Sequence, residues 1–135
     1  MRRLIVSNFV TVDGYYESRD KTFNAFFDYY HKDYEGSDHF DHYNAELLRA
    51  ADTLVLSGRT SFLGNKDYWT SVPDDPKATP IRQEIAALFA SVPKIVVSDK
   101  LTSAEVAPWN NTRIVRIADA HKEISALKEQ PGRDI

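Results

Sequence analysis

A glycine and an arginine follow an apolar run near the middle of the chain, and together these residue types can bind phosphate. Residues 53–56 are mostly aliphatic, and Ser57, Gly58 and Arg59 come directly after them. Glycine lets the backbone approach a ligand closely, and the free N–H groups of a helix beginning near Thr60 would favour an anion. The guanidinium of Arg59 offers a fork that suits phosphate oxygens. The alternative stays open that Gly58 only makes a tight turn and Arg59 is a solvated or ion-paired surface residue.

Two further apolar runs end in similar small and polar residues. These are Ser98, Asp99 and Lys100 after residues 94–97, and Asp13 and Gly14 after residues 4–12. Buried strands that finish in such residues are typical of open α/β sheets, whose carboxyl edge binds nucleotides and other phosphorylated ligands. Each segment could also be a simple polar turn, since Asp-Gly pairs and serines are common turn residues. The threefold recurrence nevertheless predicts a binding site.

Composition excludes several classes of function. The chain has 135 residues, a formal charge of −3 and no cysteine. A net negative charge does not favour nucleic acid or an anionic membrane surface. The absence of cysteine excludes disulfides, thiolate metal sites and a zinc deaminase. No apolar run approaches the length of a membrane helix, so we expect one soluble, cytoplasmic domain spanning residues 1–135.

Helical spacing of apolar residues alternates with the predicted strands. The first predicted helix has an inward face made of Phe40, Tyr43, Leu47 and Ala50. The second is expected to begin with Thr79 as N-cap before Pro80, and its inward face contains Ile81, Ile85, Leu88 and Phe89. After a strand at 113–117, Asp119 is expected to cap a third helix with Ala120, Ile124 and Leu127 inward.

The order of these elements, β-α-β-α-β-β-α, predicts a three-layer α/β/α fold with a mostly parallel central sheet. Gly132 ends the last helix, and residues 133–135 have the pattern of another strand beginning. We therefore expect that the C-terminal strands of the domain are missing from this chain and that the functional protein is longer.

Five motifs occur in an order that resembles the dihydrofolate-reductase-like family. They are Thr11-Val12-Asp13-Gly14, the segment 54–62, Tyr68-Trp69, the segment 94–98, and Leu127-Lys128 with 131–135. Within that family the chain is most similar to the reductase domain of the riboflavin-biosynthesis deaminase-reductase and its stand-alone bacterial relatives. Ser61 departs from the usual threonine of the Gly-Arg-x-Thr-aromatic motif. The family's strand and Gly-rich turn, which help to cradle the cofactor diphosphate, have no counterpart after Ile135.

The resemblance implies an NADPH-dependent reductase, in which the protein positions a hydride donor against the acceptor and supplies a proton. The residues that it implies for binding NADPH are Ser7, Val12, Asp13, Gly14, Gly58, Arg59, Thr60, Ser61, Ser98 and Lys100. Asp13 is also the candidate catalytic residue, and Asp99 would oppose a 2′-phosphate if its carboxylate pointed inward.

Aromatic residues are concentrated in residues 23–43 and could form the wall of a site for a small planar or carbonyl-bearing heterocycle. The candidates for contact with this substrate are Phe27, Tyr30, Tyr68 and Trp69. His39 and His42 could ligate a metal, but their spacing is not that of a typical site, and we expect none. A homodimer is expected, since relatives commonly pair through the sheet. The alternative function is a nucleotide-binding or interaction module that keeps the fold without catalysis.

Overall fold

The computed structural model describes residues 1–8, 10–15, 19 and 38–135. The chain divides into two compact units, one formed by Met1–Leu4 with His39–Ile135 and the other by Ile5–Asp38. The first unit contains the sheet and the helices described below. In the second unit, the described residues include a turn around Asp13 and Gly14.

Three parallel strands form the sheet of the larger unit. They are β1 (Leu54–Ser57), β2 (Lys94–Val97) and β3 (Thr112–Val115), in the order β1-β2-β3. The register pairs Ser57 with Val97 and Val97 with Val115, so the carboxyl ends of all three strands lie at one edge. The strands predicted at 53–56, 94–97 and 113–117 are confirmed to within two residues at either end.

In the described part of the chain, four α-helices accompany the sheet. They are α1 (His39–Ala50), α2 (Arg59–Ser71), α3 (Pro80–Ser91) and α4 (Ala120–Glu129). Short 3-10 turns lie at Val72–Asp74, Ser103–Glu105 and Ile117–Asp119. The α/β class is therefore confirmed, and the arrangement is compatible with a three-layer α/β/α fold.

Apolar residues of β2 pack on both faces of the sheet. Val96 belongs to a cluster with Phe62, Leu101 and Trp109, and its neighbour Ile95 belongs to another with Val115, Leu127 and Ile135. Adjacent residues of a strand point to opposite faces. Both faces are thus covered, which explains why residues 95–97 are uniformly apolar instead of alternating with polar residues.

The inward face of α1 differs from the predicted one. Phe40 and Tyr43 are 42% and 57% exposed, whereas Ala45 and Leu48 are buried against Ile81 and Ile85 of α3. The small Ala45 side chain allows close approach of the two helices. Asp41 lies toward α3 as well and pairs with Arg82 at 2.9 Å. Packing against α3 therefore determines which face of α1 is buried, and the spacing of Phe40 and Tyr43 does not.

Two other local predictions are wrong. Asp119 makes no capping bond through its side chain, because the 3-10 turn Ile117–Asp119 leads directly into α4 and leaves Asp119 in a helical conformation. Residues 4–8 and 10–12, predicted as a strand, are not in one. Thr79 does cap α3, since its hydroxyl accepts a bond from the N–H of Arg82 at 3.4 Å.

Residues 2–3, 51–53 and 133–135 meet beside the amino end of β1. Asp134 forms an isolated parallel bridge with Ala51, and the N–H of Ile135 donates to the carbonyl of Arg3 at 2.9 Å. Arg2 is buried there; its guanidinium pairs with Asp52 and donates to the carbonyl of Arg133 at 2.7 Å. The predicted strand at 133–135 is thus represented by a single bridge.

Candidate functional site at the carboxyl edge of the sheet

The turn between β1 and α2 lies at the carboxyl edge and has a conformation that favours glycine. Gly58 has φ 76° and ψ 147° and occupies the N-cap position of α2. A Cβ at this position would meet no atom within 4 Å, so the backbone angle, and not a lack of space, favours glycine. The N–H of Gly58 donates to the carbonyl of Val97 at 3.0 Å, which fastens the turn to the end of β2.

The amino end of α2 is open to a ligand. No side chain caps it, and its first turn contains no acidic residue. Thr60 is exposed and Ser61 is partly exposed. Because the first N–H groups of a helix lack partners within the helix and carry its positive dipole end, this end favours an anion.

Arg59 stands at the same helix end, but its guanidinium is engaged by a carboxylate. Its Nε donates to Oε1 of Glu105 at 2.7 Å, and its Nη2 donates to the same oxygen. The other oxygen of Glu105 accepts bonds from the N–H and hydroxyl of Thr102, at 2.9 and 2.8 Å. Arg59 and these two Thr102 donors lower the pKa of Glu105 to about 2, and Glu105 in turn raises the pKa of Arg59.

The end of β2 is held by its own polar residues. Ser98 is buried, and its hydroxyl accepts bonds from the N–H groups of Lys100 and Leu101 at 3.2 and 3.1 Å. The carboxylate of Asp99 accepts the N–H of Ile117 at 3.1 Å. Ser98 therefore shapes the turn, and Asp99 ties the segment after β2 to the segment after β3.

The structure brings together the predicted phosphate-binding residues of two segments. Gly58, Arg59, Thr60 and Ser61 follow β1, and Ser98 and Lys100 follow the adjacent strand β2. Lys100 is exposed. Arg116, which the sequence prediction missed, follows β3 and donates to the carbonyl of Asp99 at 2.7 Å. The sequence prediction placed Arg116 inside the strand 113–117, and only the observed end of β3 at Val115 brings it to the carboxyl edge.

Glu105 and Lys66 were also missed. Lys66 of α2 donates to the carbonyl of Glu105 at 2.7 Å, so α2 holds this residue through both Arg59 and Lys66. The Thr-x-x-Glu pattern from Thr102 to Glu105 predicts a local capping box, which is present. That pattern does not reveal that Arg59, 46 residues earlier in the chain, shares the carboxylate.

The residues predicted to contact the nicotinamide and the substrate lie in the smaller unit, outside the described residues, or in α2. Ser7, Val12, Asp13 and Gly14 belong to the unit Ile5–Asp38. Gly14 has φ 87°, and the carboxylate of Asp13 accepts a hydrogen bond from the hydroxyl of Thr11 at 2.5 Å. Phe27 and Tyr30 lie outside the described residues. In the larger unit, Trp69 stacks on Phe89 with ring centroids 5.1 Å apart, and Tyr68 meets the edge of Trp69. Trp69 thus contributes to packing, while Tyr68 is 47% exposed.

A depression of about 630 Å³ lies at the opposite edge of the sheet, by the first residues of β2 and β3. It is lined by Thr53, Pro93, Lys94, Ile95, Asn110, Asn111, Thr112, Arg113, Glu123, Leu127 and Gln130. Arg113 and Glu123 pair with each other at 2.6 Å. Leu127 and Gln130 bring the carboxyl end of α4 to this depression, and that end of a helix disfavours an anion. The carboxyl edge of the sheet has the uncapped amino end of α2 instead, and so we favour it as the candidate site.

Lys94 is buried and has no carboxylate partner among the described residues. It is only 1% exposed, its ammonium donates to the carbonyl of Val92 at 2.8 Å and to Oδ1 of Asn111 at 3.2 Å, and it lies 4.7 Å from the ring centroid of Trp109. Burial lowers the pKa of Lys94 to about 8. The sequence prediction treated Lys94 only as the start of a strand.

Among the described residues, no three His, Asp or Glu side chains are grouped so that they could hold a metal ion. None of the helices in this part of the chain is long and apolar enough to cross a membrane.

Comparison of the chain with family models, curated proteins and solved structures finds no match. Membership of the dihydrofolate-reductase-like family therefore stays a prediction from the motifs.

Proposed function

We propose that this protein is an NADPH-dependent reductase of the dihydrofolate-reductase-like type and that the carboxyl edge binds the cofactor phosphates. The observation that carries the proposal is the bond from the N–H of Gly58 to the carbonyl of Val97. It joins the open amino end of α2 to the end of β2, so that Arg59 and the turn 98–100 belong to one edge. A nucleotide needs such an arrangement because its phosphates and its ribose lie side by side.

The residues at this edge fit a phosphorylated dinucleotide. Gly58, Thr60 and Ser61 would hold the diphosphate through backbone N–H groups and hydroxyls, and Arg59 would add a charge-assisted contact. By the resemblance, Ser98 and Lys100 would contact the adenosine ribose and its 2′-phosphate. Bound NADPH would supply a hydride to a small planar or carbonyl-bearing heterocycle. Asp13 is our candidate for the residue that supplies the proton, and Tyr68 is a candidate for contact with the substrate.

The test is calorimetric titration of the protein with NADPH and with NADH. We expect saturable NADPH binding, and we expect Arg59→Ala to weaken it by about 10- to 100-fold, the value of a charge-assisted contact of about 1.5–3 kcal/mol. Arg113→Ala is the matched control, since Arg113 also pairs with a glutamate but stands at the other end of the sheet. Turnover at saturating NADPH should change little in Arg59→Ala, because ground and transition states share the lost contact.

Absence of NADPH binding to the wild-type protein would refute the proposal. NADPH binding without oxidation of the cofactor by pterin or aminopyrimidine acceptors would favour the alternative, a non-catalytic nucleotide-binding module. Equal NADPH affinity of the wild-type protein and Arg59→Ala would show that Arg59 is a surface residue with no part in recognition. The proposed homodimer is tested separately by light scattering at micromolar concentrations.

A further inference from the structure

Arg59 is the strongest phosphate-binding candidate at the carboxyl edge, yet its guanidinium already forms an ion pair with the carboxylate of Glu105. Both Nε and Nη2 of Arg59 are directed at a single oxygen, Oε1 of Glu105. A phosphate that approached the amino end of α2 would meet a guanidinium that already donates to Glu105 from two of its nitrogens. The carboxylate of Glu105 and a phosphate would therefore compete for the same donors of Arg59.

We propose that Glu105 is an internal competitor: its carboxylate pairs with Arg59, and the guanidinium of Arg59 turns from this carboxylate to the phosphate when a nucleotide binds. This inference rests on the proposed function of the carboxyl edge. It makes Glu105 a residue that sets cofactor affinity, although Glu105 itself does not contact the cofactor.

The contacts around Glu105 allow the exchange to occur by movement of one side chain. Oε2 of Glu105 is held by Thr102, and the backbone carbonyl of Glu105 is held by Lys66 at 2.7 Å. Neither contact involves Arg59. When Arg59 turns to a phosphate, Glu105 and its loop can therefore stay in place, and no rearrangement of the fold is needed.

Partial solvent exposure lowers the free-energy cost of separating Arg59 from Glu105. The side chain of Arg59 is 45% exposed and that of Glu105 is 24% exposed. Exposed ion pairs are weak, since water solvates both partners well when they separate. A phosphate presents several oxygens and up to two negative charges to the same guanidinium, together with the N–H groups of α2, and so it competes effectively against one carboxylate oxygen.

The carboxylate of Glu105 is ionised, and so able to compete for Arg59, at every physiological pH. Arg59 and Thr102 lower the pKa of Glu105 to about 2, so the carboxylate stays ionised well below neutrality. The strength of competition can therefore be changed by substitution but not by moderate changes of pH.

The experiment titrates NADPH and, separately, inorganic pyrophosphate into five proteins by calorimetry. These are the wild-type protein, Glu105→Gln, Arg59→Ala, the double variant, and Glu123→Gln. Glutamine keeps the shape of Glu105 and can still accept from Thr102, so the loop is retained. Glu123→Gln changes the net charge equally and removes a similar Arg–Glu pair, that of Arg113, from the opposite end of β3.

We expect Glu105→Gln to bind both ligands about three- to tenfold more tightly than the wild-type protein, which corresponds to the removal of an exposed ion pair and its charge. Glu123→Gln should bind as the wild-type protein does. In the Arg59→Ala background, Glu105→Gln should have less than about a twofold effect, because the competition requires Arg59.

Several results would overturn the inference. If the wild-type protein binds NADPH and Glu105→Gln binds it no more tightly, Glu105 does not compete, and the proposed function stands. If Glu105→Gln strengthens binding equally without Arg59, the effect is general charge repulsion and the inference fails. If only pyrophosphate binds, more tightly to Glu105→Gln in an Arg59-dependent manner, the competition is real but the NADPH proposal is wrong. If no variant binds either ligand, both proposals fail.

Discussion

Lys94 provides the sharpest test of the energetics of this fold, because its charge is buried and no carboxylate in the described part of the chain pairs with it. We expect Lys94→Met to stabilise the protein near pH 7. Methionine keeps an unbranched chain of similar length in the same space but has no charge to desolvate. The carbonyl of Val92 keeps a donor in this variant, since the side-chain amide of Asn111 also reaches it at 3.1 Å.

The magnitude follows from the titration of the lysine. An unperturbed lysine titrates near 10.4, and burial lowers the pKa of Lys94 to about 8. The charged form is thus disfavoured by about 3 kcal/mol in the folded state. Loss of the bond to Asn111 and of the contact with Trp109 offsets about 1–2 kcal/mol of this. The net stabilisation expected from Lys94→Met at pH 7 is about 1–2 kcal/mol.

The pH dependence has a definite sign. Between pH 8 and about 10.4 the unfolded chain holds a proton on Lys94 that the folded protein has released. The free energy of unfolding of the wild-type protein therefore rises across this window relative to the variant, by up to about 3 kcal/mol. Below pH 8 the full desolvation cost is present, and the variant should be the more stable of the two proteins.

Urea unfolding at pH 7 and at pH 9.5 measures both effects. Lys122→Met is the control, since Lys122 is exposed on α4, and a surface substitution should change stability by less than about 0.5 kcal/mol. A variant Lys94→Met that is less stable than the wild-type protein at pH 7, or a stability difference that is the same at both pH values, would refute this account of Lys94.

Two further predictions concern stability, and urea unfolding measures each. Arg2→Ala should destabilise the protein by about 1–3 kcal/mol, because Arg2 is buried beside a carboxylate that is about one-third exposed and would lose its main cation. Arg49→Ala, which breaks the exposed pair with Glu84, should change the free energy of unfolding by less than about 1 kcal/mol. Equal losses of stability in Arg2→Ala and Arg49→Ala would contradict a stabilising role for the buried Arg2. Thr79→Ala should cost about 0.5–1 kcal/mol through loss of the α3 cap, whose bond is long at 3.4 Å. Asp119→Ala should cost almost nothing, since Asp119 makes no capping bond, and a clear loss would show that it caps α4 after all.

Local patterns in the sequence were sufficient to predict several elements of the larger unit. The run Lys94–Val97 and the Thr79-Pro80 helix start were recognised because strand burial, N-capping and proline at the first helical position act over a few adjacent residues. The parallel arrangement followed from the alternation of strands with helices. That alternation also predicted that Gly58 and Ser98 would share one edge of the sheet.

Only the tertiary structure determined how particular side chains are paired and buried. The buried face of α1 depends on the position of α3, and Ala45 is selected over the larger Tyr43 because the two helices approach closely. Arg59 meets Glu105 across 46 residues of sequence, and Lys94 is enclosed by residues from a later loop. Such contacts depend on how separate elements pack, and a periodicity of two or 3.6 residues along one element contains no information about its neighbour. The sequence therefore determined which residues could bind an anion, and the fold determined that the best of them, Arg59, is already paired with a carboxylate.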